Sequence, residues 1–216
     1  MIEIEAIDVC FQYAERMVID HLNLSILQGE KVGILGKSGC GKSTLLKILA
    51  GLYEPSYGSI RVKGESHPQK IRKQVAMVMQ SAMLLPVSIL DNITCGHSMS
   101  DEWVRHVCEA AMLMDWIQTL PDGLASKLGE RGQALSGGQA QRIAIARAMA
   151  KDASIILLDE PTYALDHETS DAIMEALRQL TKGKTVVHVT HHPEQIEDYD
   201  RIFLLEGGVL YETRNR

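Results

Sequence analysis

The sequence predicts an α/β fold with a mostly parallel sheet, an N-terminal antiparallel β part and an inserted helical lobe. Three observations predict it. Short apolar runs alternate with helix-period segments near both ends of the chain, as in a parallel sheet covered on both faces. The run KVGIL at residues 31–35 enters a glycine-rich loop directly, giving a strand, loop, helix unit. Between residues 81 and 134 the pattern changes to three- and four-residue apolar spacing, as in WVRHVCEAAMLMDWI.

In order, residues 3–11 and 23–26 alternate like half-buried strands, followed by the strand at 31–35. A helix over 43–52 and a strand over 58–62 come next. A polar stretch separates these from the strand-like VAMVM at 75–79. After the helical insertion the alternation resumes: SIILLDE, the helix ETSDAIMEALRQL, the strand TVVHVT, a short helix, and RIFLLEGG. With one glycine loop and no internal repeat, residues 1–216 read as a single domain: a nucleotide-binding core at 1–80 and 151–216, and a helical lobe at 81–150.

Composition narrows the function classes. At 216 residues and 45% apolar content the chain can bury a proper core, and its net charge of −6, with both signs interspersed, argues against a nucleic-acid partner. Cys10, Cys40, Cys95 and Cys108 form no C-x-x-C pair, which predicts free thiols in a reducing, cytoplasmic setting. The N-terminus MIEIEAIDVCF alternates like a strand rather than a signal peptide, and no apolar run approaches the roughly 20 residues of a membrane span. A membrane role would therefore come through a partner.

Gly36-Lys37-Ser38-Gly39-Cys40-Gly41-Lys42-Ser43-Thr44 matches the phosphate-loop pattern G-x-x-x-x-G-K-[ST], placed after a strand and before a helix, as its mechanism requires. Its backbone N–H groups are suited to wrap phosphate, with Lys42 reaching the β and γ oxygens and the Ser43 hydroxyl ligating Mg²⁺. The run IILLDE ends a buried strand in two carboxylates. Asp159 is placed to hold the metal, and Glu160, one residue further, to polarise a water for in-line attack. A second anion-binding start is LSGGQ, formed by Leu135, Ser136, Gly137, Gly138 and Gln139 at the head of an amphipathic helix.

With a P-loop NTPase core, the two carboxylates and LSGGQ in hand, the chain closely resembles the nucleotide-binding domain of ATP-binding cassette (ABC) transporters over nearly its whole length. The resemblance implies a head-to-tail dimer in which one subunit's LSGGQ signature closes over ATP held by the other's phosphate loop. That would explain two anion sites in one chain. It also implies roles for Tyr13 as the aromatic residue stacked on adenine, for Gln80 as the Q-loop glutamine contacting Mg²⁺ and the attacking water, and for His191 as the switch histidine at the γ-phosphate. Asp166 would be the D-loop aspartate, although Tyr163 stands where the family commonly has serine. His188 and His192 receive no role.

Gly129-Glu130-Arg131-Gly132 and PVSILDNI at 86–93 resemble exporter-type cassettes. The expectation is an ATPase using ATP and Mg²⁺, paired with a second cassette and a transmembrane domain, peripheral to the inner face of a membrane. A soluble ABC-type ATPase that drives assembly or regulation of a protein complex is the alternative.

Overall fold

A computed structural model of the chain describes residues 1–129, 135–163 and 167–213. It contains two compact units, one of Met1–Met77, Ala153–Glu160 and Gly183–Arg216, the other of Val78–Asp152 and Pro161–Lys182.

The first unit runs β1 (Ile2–Tyr13), β2 (Arg16–Leu27), β3 (Lys31–Leu35), α1 (Lys42–Leu49), β4 (Tyr57–Val62), α2 (Pro68–Gln74) and β5 (Val75–Val78). It resumes with β6 (Ile155–Asp159) and, after one further helix of the second unit, with β7 (Thr185–Thr190), β8 (Arg201–Glu206) and β9 (Val209–Thr213). An antiparallel sheet has the order β2-β1-β4, and a six-stranded sheet the order β5-β6-β7-β3-β8-β9. Strands β6, β7, β3 and β8 are parallel, and β9 returns antiparallel on β8.

Burial follows the sequence pattern. Every residue of β6 and β7 is buried, which is why these strands are rich in apolar residues on both faces instead of alternating. Strand β2, with one face covered, alternates instead. The register pairs Asp159 with Val189 and Leu35 with Thr190, so the carboxyl ends of β6, β7 and β3 finish side by side. Helix α1 packs Leu45, Leu46, Ile48 and Leu49 into the core shared with Val32, Ile34, Leu157 and Val187.

Five expectations are refined. Strand β2 begins at Arg16, well before residue 23, because register breaks opposite Asp8 and Cys10 interrupt the alternation that would have revealed it. Helix α1 ends at Leu49: Gly51 turns left-handed (φ 66°), and the N–H of Leu52 closes on Lys47 O at 2.8 Å. The polar stretch after β4 contains α2, which starts at Pro68 and buries only Ile71. RIFLLEGG continues into a hairpin, since Gly207 and Gly208 (φ 58° and 85°) supply the left-handed pair of a two-residue turn. The short helix after β7 is a single 3-10 turn, Pro193–Gln195.

The second unit comprises α3 (Ile89–Thr94), α4 (Asp101–Ala110), α5 (Met114–Gln118), α6 (Gly137–Ala150) and α7 (His167–Thr181), with α6 packed against α3, α4 and α7. Ser88 and Ser100 cap α3 and α4 by accepting the N–H groups of Asp91 and Trp103. Arg147 of α6 ties the unit together, donating to Asn92 O at 2.7 Å, Asn92 Oδ1 at 3.0 Å and Met83 O at 2.8 Å.

Candidate active site

The loop between β3 and α1 places its glycines for separate reasons. A side chain at Gly36 would put its Cβ 2.7 Å from Cys40 Sγ and 2.8 Å from Leu205 O. Gly39, by contrast, faces open space, and its φ of 77° is the left-handed turn that the loop requires. Helix α1 is capped by Gly41 (φ 112°) with no side-chain hydrogen bond, so the amides of its first turn have no side-chain acceptor there. Such a helix start is suited to an anion.

Lys42, only 5% exposed, lies over this loop. Its Nζ donates to Gly36 O at 2.7 Å and Lys37 O at 3.1 Å, and pairs with Glu160 Oε1 at 3.1 Å. The other Glu160 oxygen, Oε2, lies 2.8 Å from His191 Nδ1. Glu160 itself takes a left-handed turn (φ 42°) at the end of β6, held by its N–H donating to Val189 O at 3.0 Å. One carboxylate thus bridges the phosphate-loop lysine and the histidine that follows β7.

Beside them, Ser43 Oγ donates to Asp159 Oδ1 at 2.8 Å. Burial raises the Asp159 pKa, assisted by the charge of Glu160 and opposed by the Ser43 hydrogen bond, Lys47 and Lys42. A buried carboxylate that is costly to ionise, next to a hydroxyl, is a hard-oxygen pair suited to Mg²⁺. Tyr13 approaches the same helix, its hydroxyl 3.3 Å from Thr44 Oγ1. Its ring meets Phe11 edge-on at 5.1 Å and stays 46% exposed, leaving surface for a further stacked ring.

In the second unit, Ser136 and Gln139 form a capping box at the start of α6: Gln139 N donates to Ser136 Oγ at 3.1 Å and Ser136 N to Gln139 Oε1 at 2.9 Å. A Cβ at Gly138 would overlap Thr169 Cγ2, so that glycine serves helix packing against α7. Leu135 is half-buried, and Ser136 and Gly137 are exposed. Gln80, half-buried, follows β5 by two residues. Asp166, with Glu130, Arg131 and Gly132, lies outside the described residues.

Within the first unit, therefore, Tyr13, residues 36–44, Asp159, Glu160 and His191 come together, while Gln80 and residues 135–139 belong to the second. Sequence reasoning overlooked Gln141, a buried polar side chain whose Nε2 donates to Met79 O at 2.9 Å, next to Gln80. It also overlooked Arg147. Both look like ordinary surface residues of an amphipathic helix, and only the packing of α6 identifies them as buried or half-buried ties.

A family model described as ABC transporter matches residues 19–163. The chain belongs to the ABC transporter family. Its relatives in this family include an ATP-dependent lipid A-core flippase of Alkalilimnicola ehrlichii, 41% identical over 221 residues, covering 99% of this chain and 37% of that protein. The alpha-hemolysin translocation ATP-binding protein HlyB of Escherichia coli is 41% identical over 201 residues, covering 91% of this chain and 28% of that one. A solved structure of a bacterial Atm1-family ABC exporter with ATP bound superimposes with a TM-score of 0.88 at 33% identity, over 99% of this chain and 38% of that chain. The chain thus has the fold of an ABC exporter's nucleotide-binding domain and is an ATP-binding domain of that family. It spans 37% or less of the length of these two curated relatives. Among the described residues no helix is long and apolar enough to cross a membrane.

Proposed function

We propose that this ABC transporter domain hydrolyses ATP to ADP and phosphate and powers export through a transmembrane domain, working as a head-to-tail pair with a second cassette. Residues 1–216 act as one ATPase domain, with the core at 1–80 and 151–216 and the signature carried by the lobe at 81–150. The observation that carries the reading is the Glu160 carboxylate held between Lys42 and His191 at the carboxyl end of β6.

Each residue has a physical task. Amides from Gly36, Lys37, Ser38, Gly39, Cys40, Gly41 and Thr44 cradle the phosphates, and Lys42 exchanges its carbonyl partners for phosphate oxygens. Glu160 accepts the proton of the attacking water at its carboxylate, while His191 keeps that carboxylate oriented and contacts the γ-phosphate. Tyr13 stacks on adenine. Ser43, Asp159 and Gln80 would hold Mg²⁺, which neutralises phosphate charge when bound. Leu135, Ser136, Gly137, Gly138 and Gln139 serve the partner's ATP, and Asp166 meets the partner across the interface. The domain sits at the inner membrane face through its transmembrane partner.

The test is Glu160→Gln. Turnover should fall by roughly 10²–10⁴, the usual worth of a positioned proton acceptor, with ATP binding retained. Sedimentation of that variant should show a monomer that becomes a dimer only with Mg-ATP. Unchanged turnover would remove Glu160 from its role, and a chain that binds ATP yet stays monomeric would remove self-pairing through the signature.

A further inference from the structure

Away from the phosphate loop, two successive register breaks between β1 and β2 gather four side chains that the nucleotide chemistry does not use. Ala6 pairs with Leu24 and Val9 with Leu22, so Ile7 and Asp8 together oppose Asn23. Val9 pairs with Leu22 and Phe11 with Ile19, so Cys10 alone opposes both Asp20 and His21. Bulges of this kind re-aim side chains. Asp8 and His21 take the left-handed conformation, with φ of 54° and 45°. For residues other than glycine this conformation is disfavoured.

The result is a mixed sulfur, nitrogen and oxygen cluster. One donor atom each from Cys10, Asp20 and His21 lies within 4.8 Å of the others. His21 Nδ1 is hydrogen-bonded to Asp8 Oδ1 at 2.7 Å, which leaves Nε2 as the free ring nitrogen, 4.0 Å from Asp20 Oδ1. That is the arrangement by which a carboxylate behind a histidine orients it as a metal ligand. The backbone N–H of His21 donates to Cys10 Sγ at 3.3 Å, which holds the sulfur beside the histidine. Asp20 is anchored through its N–H, which donates to Gly208 O at 3.0 Å.

We propose that Cys10, Asp20 and His21 form a binding site for Zn²⁺, with Asp8 orienting His21. The donor set is that of a borderline-soft, tetrahedral cation rather than Mg²⁺ or Ca²⁺, which take oxygen ligands. Ligand atoms on a tetrahedral zinc stand roughly 3.3–3.6 Å apart, from bond lengths of about 2.0–2.3 Å. Closing the cluster to those distances calls for small movements of Asp20 and His21, whose side chains are 47% and 66% exposed. Three protein ligands leave a fourth position for water. Val18, two residues before Asp20, also backs the phosphate loop: a Cβ on Gly41 would lie 2.9 Å from Val18 Cγ1 and 3.1 Å from Val18 O.

The experiment uses the untagged full chain, titrated first with Co²⁺ as a spectroscopic stand-in and then with Zn²⁺ against a chromophoric chelator. One equivalent of Co²⁺ should give a thiolate charge-transfer band that Zn²⁺ abolishes. Cys10→Ser should eliminate that band, and His21→Gln should weaken Zn²⁺ binding at least tenfold with circular dichroism unchanged. Asp8→Asn should weaken it about 10- to 100-fold, the usual effect of losing the group behind a ligand. Because Cys10 is buried, a misfolded serine variant leaves the decision to His21→Gln, whose side chain is 66% exposed. No band in the parent protein, or Zn²⁺ affinity unchanged by His21→Gln, overturns the site.

Discussion

Helices α1 and α6 both open on glycines, yet their first turns are arranged in opposite ways. Helix α1 begins at left-handed Gly41 with no side-chain cap, whereas α6 begins with Ser136 and Gln139 satisfying each other's backbone N–H groups. The first leaves its amides without a side-chain acceptor at the cap, the arrangement suited to an anion. The second is complete by itself, so any anion met there competes with, or adds to, an existing cap. Sequence similarity between two glycine-rich helix starts therefore conceals a difference in what each start does without nucleotide.

That contrast can be broken at either end. The largest effect is expected from Lys42→Ala, which deletes the one ammonium that spans the Gly36 and Lys37 carbonyls and Glu160. Hydrogen bonds to charged groups are worth about 1.5–3 kcal/mol, so ATP affinity should fall roughly 10- to 100-fold in a fluorescence titration. On the other helix, Gly138→Val drives a branched side chain into Thr169. Overpacking of this kind costs about 1–3 kcal/mol, or several degrees of melting temperature by calorimetry.

Acid should act on only one side of the comparison. His188, 1% exposed on β7 with Nδ1 3.2 Å from Tyr199 Oη, is lowered by burial to about 4, against the opposing charge of Glu160. Unfolded histidine titrates near about 6.5, so between those values the unfolded chain binds a proton that the folded chain refuses. Stability is therefore independent of this group above the unfolded value and declines as pH falls toward 4. Urea unfolding should show roughly 1–2 kcal/mol less stability at pH 5 than at pH 7, and His188→Val should flatten that difference. The Ser136 and Gln139 cap contains no titrating group and should not respond.

The smallest effect is the cap itself. Ser136→Ala should cost about 1 kcal/mol, read as a melting shift of roughly 2–4 °C. A much larger loss of stability would mean that α6 depends on its start as strongly as α1 depends on its ligand.

Much of the fold and of the first unit's site was legible because it rests on local pattern. The runs KVGIL, IILLD and TVVHVT became fully or largely buried parallel strands, as unbroken apolar stretches do when helices cover both faces. The phosphate-loop pattern singled out Lys42 and Ser43, and the carboxylates ending IILLDE singled out Asp159 and Glu160; the structure sets Lys42 3.1 Å from Glu160 and Ser43 2.8 Å from Asp159. Strand β2 was legible only in its last third, because bulges opposite Asp8 and Cys10 destroy the period-two signal. The hairpin β8–β9 and helix α2 were hidden by weak amphipathicity, with β9 and most of α2 left on the surface.

By itself, then, the sequence determined the α/β class, the phosphate-loop pattern, the paired carboxylates and the glycine-led start of the helix at LSGGQ, since each depends on spacing along the backbone. Only the tertiary structure decided that Glu160 spans Lys42 and His191, that Gln141 holds the backbone at Met79, that Gly138 is small for Thr169, and that Cys10 faces Asp20 and His21. These relations join residues far apart in the chain or across a register break, and local periodicity carries no information about which side chains packing will bring into contact.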